Sequence, residues 1–342
     1  MMRPVVTVPI FAVRGLLDGA RAKGLATESW LGSVLRRADI AESLLNLEQS
    51  RVTVEQFIAL FSAVKDSLDD ELLGYLHGRP MRRGSFILIA RSTLGAKTLS
   101  AALQRVCESF SLLQDDLTLV PVSDGQLRGV ALNMRDGPSG YADFLHALLL
   151  RVFWRLLVWL HGGGLVPRNF DFAFDTPAHA EGYDRIFSGT LRFGQAQSAV
   201  WFDGTAFEQP MRHDTLALQT FLRATPDNLV GPHLNERACS MRVRSLLQKA
   251  CPEWPDLTDA AQRLHTSVSA LQRHLATEGK SFKMIKDELR RDMAIVRLTG
   301  TEISLSAIAD ELGFADSTAF QRAFKSWTGS SPGTYRSHIR KA

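Results

Sequence analysis

An α+β N-terminal domain joined to an all-α C-terminal domain, the latter with two helix-turn-helix units linked by a connecting helix, is the fold class this sequence predicts. Three observations carry it. Helical and strand periodicities alternate up to about residue 224. From residue 236 onward apolar residues recur at three- and four-residue spacing without sustained alternation. Within that stretch a short helix, a turn and a second helix occur twice, with Leu271 and Phe320 at matching positions.

The 342 residues are too many for one ordinary core and suit two. A hydrophobic content of 45% against 22% charged residues excludes a disordered chain. Residues 236–342 hold 17 Lys and Arg against 12 Asp and Glu, whereas residues 1–235 hold 23 against 24. The net positive charge therefore sits in the C-terminal third, as phosphate binding would favour. Three scattered cysteines, Cys107, Cys239 and Cys251, suggest neither a disulfide framework nor a zinc site, and no metal or cofactor is expected. Residues 1–15 show no charged segment followed by an apolar one, so no export signal is expected and the location expected is cytoplasmic.

The N-terminal elements follow in order. Helices are expected near Phe11–Lys23, Thr27–Arg37 and Val54–Ser67, and again over Thr98–Leu113. Leu117–Pro121 and Gln126–Asn133 flank Ser123-Asp124-Gly125 and read as a hairpin. Phe144–Leu160 is the most apolar stretch, but His146, Arg151 and Arg155 interrupt it; it reads as a buried amphipathic helix rather than a membrane span. A strand at Phe170–Phe174, a helix near Ala178–Phe187 and a strand at Ser198–Phe202 follow. Two prolines, a glycine and polar residues between Ala224 and Leu234 give the composition of a connection, so the expected parts are 1–224, a linker at 225–235, and 236–342.

The first helix-turn-helix unit reads Leu257–Leu264, a turn at His265-Thr266-Ser267, and Val268–Ala276, with Ser267 as N-cap. Leu271 and Leu275 face inward, leaving Ser269, Gln272, Arg273 and Ala276 on the other sides. The second reads Ile303–Leu312, Gly313 at a left-handed turn position, and Asp316–Lys325. Phe314, Phe320, Phe324 and Trp327 are expected in the core, with Ser317, Thr318, Gln321 and Arg322 outward. Arg and Gln can read guanine and adenine edges with paired hydrogen bonds, although either residue alone equally suits an ordinary solvated face. Between the units, Ser281–Leu298 carries a helical stripe about 27 Å long, close to the roughly 34 Å of one DNA turn.

Leu264-His265-Thr266-Ser267, Leu271-Gln272-Arg273-His274-Leu275, Glu278-Gly279, Ser281-Phe282, Ile308-Ala309, Leu312-Gly313-Phe314, Ala319-Phe320, Arg322-Ala323-Phe324, Trp327, Gly329, Pro332 and Tyr335-Arg336 together resemble the DNA-binding domain of AraC/XylS-type bacterial regulators. By that resemblance Ser269, Gln272 and Arg273 would read bases from the first unit, and Ser317, Thr318, Gln321 and Arg322 from the second, with Lys325 also among the DNA-binding positions. Ser269 is short where some relatives carry a large side chain. Gly78-Arg79-Pro80, Gly84-Ser85-Phe86, Thr98-Leu99, Ala102-Leu103 and Leu191-Arg192-Phe193 resemble, more diffusely, the larger arabinose-binding-type ligand domain of one AraC subgroup. The resemblance implies an effector-sensing and dimerising N-terminal domain, and activation as the commoner mode.

Two fragments mimic an esterase, His161-Gly162-Gly163-Gly164 and Gly329-Ser330-Ser331-Pro332-Gly333. An oxyanion hole needs the N–H of the residue after the nucleophile, and Pro332 has none, so no catalytic residue and no enzyme is expected. Arg151 and Arg155, one turn apart, could offer a fork to the carboxylate of an effector such as a fatty acid; the plainer expectation is that both reach solvent or snorkel past their neighbours. The partners expected are double-stranded promoter DNA, RNA polymerase, a second copy of the chain and possible small-molecule effectors, with no membrane. The alternative keeps the DNA-binding part and makes the N-terminal part a dimerisation or partner-binding module that senses no small molecule.

Overall fold

The computed structural model describes residues 5–76, 78–134, 142–211, 214–231 and 238–340. In chain order it runs β1 (Thr7–Pro9), α1 (Ile10–Ala22), α2 (Glu28–Arg37), β2 (Arg51–Thr53), α3 (Val54–Leu68), α4 (Ser85–Ser92) and α5 (Leu99–Leu113). Then come β3 (Leu117–Asp124), β4 (Leu127–Met134), α6 (Ala142–Leu160), β5 (Asn169–Asp171), β6 (Thr190–Arg192), β7 (Ser198–Asp203), α7 (Thr215–Arg223) and α8 (Asp227–Val230). The remainder is helical: α9 (Cys239–Ala250), α10 (Leu257–Arg263), α11 (Val268–Thr277), α12 (Phe282–Gly300), α13 (Leu305–Glu311), α14 (Ser317–Thr328) and α15 (Pro332–Arg340).

The long periodic helices stand within about two residues of their expected bounds, because each has an apolar stripe and several have a capping side chain: Thr27 accepts from Trp30 N–H and Thr98 from Ala101 N–H. Four readings change. A strand at residues 7–9 precedes the expected first helix, since these residues find their partner strand 44 positions away. Residues 180–185 form a 3-10 helix, shorter than the helix expected over 178–187. The strand expected at 170–174 is confined to 169–171. Residues 227–230, inside the expected linker, form a short helix with Leu229 and Val230 buried, while 232–235 lie outside the described residues.

The chain groups into two compact units: residues 11–38 with 58–231, and residues 1–10, 39–57 and 232–342. The first holds a five-stranded sheet in the order β3-β4-β7-β5-β6, antiparallel except for the β5–β6 pair. Its hairpin closes through a two-residue loop in which Gly125, at φ +57°, takes the first position, a conformation glycine adopts without strain. Helix α5 lies against β3, and α6 against β4 and β7. Leu145, Leu150, Trp154, Leu156, Leu157 and Leu160 of α6 are all buried, which accounts for its apolar text. Among the described residues no helix is long and apolar enough to cross a membrane. His146, also on α6, meets Ser198 Oγ through Nδ1 at 2.7 Å, and burial pushes its pKa down to about 4.

The second unit contains α9–α15 together with a ribbon made by β1 and β2, paired antiparallel with Val8 opposite Val52. Its polar centre is Asp292 on α12, only 3% of whose side chain is exposed. Arg244 of α9 donates to its Oδ2 at 2.7 Å, Arg291 donates to Oδ1 at 2.9 and 3.1 Å, and Arg51 of β2 stands 3.8 Å away. The Thr7 hydroxyl of β1 donates to Oδ1 at 2.6 Å. Burial alone would raise the carboxyl's pKa; the guanidiniums of Arg291, Arg244 and Arg51 and the Thr7 hydroxyl outweigh it, so the group is held well below the usual carboxylate range.

Candidate nucleic-acid interface

Two helix-turn-helix units are built on one turn geometry. In the first, Thr266 N–H donates to Ala261 O and His265 N–H to Gln262 O, both at 3.0 Å. In the second, Phe314 N–H donates to Ala309 O and Gly313 N–H to Asp310 O, again at 3.0 Å. Both turns therefore end their first helix in the same left-handed cap, with His265 at φ +55° and Gly313 at φ +67°. Gly313 is required twice over: a Cβ there would also stand 3.0 Å from Pro252 O and from Trp254 Cδ1. The following helices start on side-chain caps. Ser267 accepts from Ala270 N–H at 3.2 Å, and Asp316 accepts from Ala319 N–H at 2.7 Å.

Inward positions fall largely as the periodicity predicts. Leu271, Leu275, Phe320 and Phe324 are buried, whereas Phe314 and Trp327 are half-buried. Leu305 begins α13 behind the N-cap Ser304, so Ile303 lies outside the helix and is exposed. Helix α12, at 19 residues about 28 Å long, carries the grip on the second unit. Arg290 donates to Leu312 O and Gly313 O, both at 3.0 Å, while its guanidinium lies 5.2 Å from the Trp254 ring centre and 4.7 Å from that of Phe314. Arg297 pairs with both Glu311 oxygens. Nothing in the helix-turn-helix pattern singled out Arg290 or Arg297; their spacing of seven on one helix face was the available signal.

On the outward faces Ser269, Gln272, Arg273, Thr318, Gln321, Arg322 and Lys325 are exposed. Ser317 is half-buried, and its Oγ accepts from Gln321 Nε2 at 3.3 Å. Among the described residues Arg273, Arg322 and Lys325 make no ion pair, which leaves three exposed cations along the outward faces of α11 and α14, an arrangement suited to a polyanion. Glu278, one residue past α11, spends its carboxylate on the first amides of α9, accepting from Cys239 and Ser240 N–H at 2.7 and 3.0 Å.

Arg151 holds main chain rather than offering a fork to a cavity or reaching solvent, and half-buried Arg155 holds main chain through Nε. Arg151 is buried and donates to Leu229 O and Ile186 O at 3.2 Å and to Gly231 O; Arg155 Nε donates to Asn228 O at 2.8 Å. The physical reason is α8: a four-residue helix leaves its last carbonyls without intrahelical partners, and the two arginines supply them. The esterase-like fragments resolve as ends of helices. His161–Gly164 follows α6, with Gly163 N–H donating back to Val158 O, and Ser331 caps α15, accepting from Thr334 N–H at 3.2 Å.

A family model described as the arabinose-binding domain of AraC transcription regulators, N-terminal, matches residues 31–211, and a helix-turn-helix domain model matches residues 260–338. The ornithine utilization regulator of Pseudomonas aeruginosa is 28% identical over 334 residues, covering 96% of both chains. The HTH-type transcriptional regulator VirS of Mycobacterium tuberculosis is 25% identical over 308 residues, covering 89% of this chain and 90% of its own. Among solved structures, the transcriptional regulator CdpR from Pseudomonas aeruginosa is 19% identical, with a TM-score of 0.33 over 96% of this chain and 98% of that one. The chain belongs to the AraC family of HTH-type, DNA-binding transcription regulators, with an arabinose-binding-type N-terminal domain ahead of its helix-turn-helix domain, and is not an enzyme.

Proposed function

We propose that this regulator reads promoter DNA with both recognition helices, α11 and α14, each entering a major-groove segment. Ser269, Gln272 and Arg273 would face bases from α11, and Ser317, Thr318, Gln321 and Arg322 from α14, with Lys325 on the same helix. The observation that carries the reading is the pairing of two turns with the same left-handed cap, each followed by a helix whose exposed arginine, Arg273 or Arg322, makes no ion pair among the described residues. The expected parts are 1–224, a linker at 225–235 and 236–342; with the chain grouped as it is, residues 11–38 and 58–231 would sense an effector or pair two copies, and the unit that holds residues 236–342 together with 1–10 and 39–57 would grip DNA. The protein acts in the cytoplasm as a homodimer and activates by engaging RNA polymerase.

The experiment is differential. Arg322→Ala lowers affinity for a specific duplex by about 1–3 kcal/mol and affects random duplex less. Equal losses on both would make Arg322 a phosphate contact and remove it from the reading set.

A second reading, in which the N-terminal part pairs subunits and senses nothing, draws support from Arg151, which donates to three main-chain carbonyls, and from Arg155, whose Nε donates to a fourth. Thermal shift of the full chain against metabolite and lipid panels separates the two, since a ligand that binds the folded state raises the midpoint with its concentration.

A further inference from the structure

The ribbon formed by the first described residues touches a helix on each flank of the two helix-turn-helix units and the helix between them. Ahead of the first unit, α9 receives it through Gln248, which accepts from Val5 N–H at 3.0 Å, and through Arg244, which donates to Val5 O. Between the units, α12 receives it at Asp292, near the helix midpoint, through Thr7 and Arg51. After the second unit, α15 receives it at Tyr335, whose buried hydroxyl donates to Arg51 O and accepts from Arg51 N–H at 3.3 Å. Arg51 is fixed in turn by Thr7, donating to its hydroxyl and its carbonyl, each at 2.7 Å.

We infer that Thr7, Arg51 and Tyr335 are positioning residues for DNA recognition: through Asp292 the N-terminal ribbon fixes the rotation and axial position of α12, and with them the spacing of the two recognition helices. Apolar packing alone tolerates sliding of a helix by fractions of a turn. Directional bonds to a buried carboxylate do not, because each displaced donor leaves a desolvated partner. Helix α12 transmits that constraint to the second unit through Arg290 on the turn carbonyls and Arg297 on Glu311. On the first-unit side, Arg244 lies on α9, whose first amides are held by Glu278 at the end of α11. The inference rests on the proposed reading that both recognition helices contact DNA.

The test uses the full chain and a duplex selected by the wild-type protein from random-sequence DNA, with two further duplexes in which one or the other half of the selected site is scrambled. The variants are Thr7→Val, which removes the hydroxyl at constant shape, Thr7→Ser, which keeps it, and Tyr335→Phe. Wild type loses affinity when either half is scrambled. Thr7→Val and Tyr335→Phe lose about tenfold on the intact duplex while binding the half-scrambled duplexes as wild type does, and Thr7→Ser restores the intact-site affinity. Equal losses on all three duplexes, or none, would overturn the positioning role and leave the bonds as stability contacts. If wild type is indifferent to scrambling one half, the two-helix reading itself fails and the inference falls with it, a result distinct from failure at Thr7.

Discussion

Thr7 and Asp292, 285 residues apart, share a 2.6 Å hydrogen bond in a buried site where three guanidiniums converge on one carboxylate. Such a site is costly to break from one side. Removing the carboxylate leaves Arg51, Arg244 and Arg291 desolvated without their counter-ion. Asp292→Asn is expected to destabilise the unit that carries the helix-turn-helix pair by about 3–5 kcal/mol at neutral pH. The pH dependence has a definite sign. The folded-state pKa lies below the ordinary value of 3.8, so the site's contribution is complete above that value and is lost as pH falls through it toward the folded pKa. Urea unfolding of wild type and variant between pH 3 and 7 checks both expectations. A loss below about 1 kcal/mol, or no narrowing of the gap toward pH 3, would contradict them.

Arg151 and α8 give a second expectation. Arg151→Ala removes three donations to main-chain carbonyls and leaves those oxygens buried, so a loss of about 3 kcal/mol is expected, with residues 227–231 becoming open to amide exchange. Arg155→Ala, from a half-buried position, costs less, roughly 1 kcal/mol. Hydrogen exchange on the two variants reads the segment directly. Protection at 227–231 unchanged in Arg151→Ala would show that α8 holds itself.

The two turns make a reciprocal pair of expectations. His265 carries a side chain at φ +55°, where glycine has no steric penalty, so His265→Gly should stabilise by about 0.5 kcal/mol after the added freedom of the unfolded chain is subtracted. Gly313→Ala should destabilise by roughly 2 kcal/mol, since the new methyl meets both the strained φ and the wall formed by Pro252 and Trp254. Thermal midpoints of the two variants should move in opposite directions; movement in the same direction would mean the turns are not equivalent.

What the sequence by itself determined is whatever depends on neighbours within a few turns of chain. The stripe of α11, the cap at Ser267, the left-handed residue at Gly313 and the buried text of α6 are all local signals. So are the separated motifs that resemble the family, because each is a cap, a turn or a stripe formed within a few turns of chain. Tertiary structure alone decided the rest. Strand β1 exists because residues 51–53 supply its hydrogen bonds, and three residues carry no readable period. Arg151 and Arg155 could have faced solvent, a ligand or main chain; the nearby carbonyl ends of α8, 73 to 80 residues further along, settle the matter. Asp292 reads locally as one more charge on a charged helix face, and becomes the polar centre of the unit that holds the helix-turn-helix pair only when Thr7 and Arg51 are brought to it. A buried charge needs several partners at once, and their convergence from β1, β2 and α9 is a property of the folded chain that no window of sequence contains.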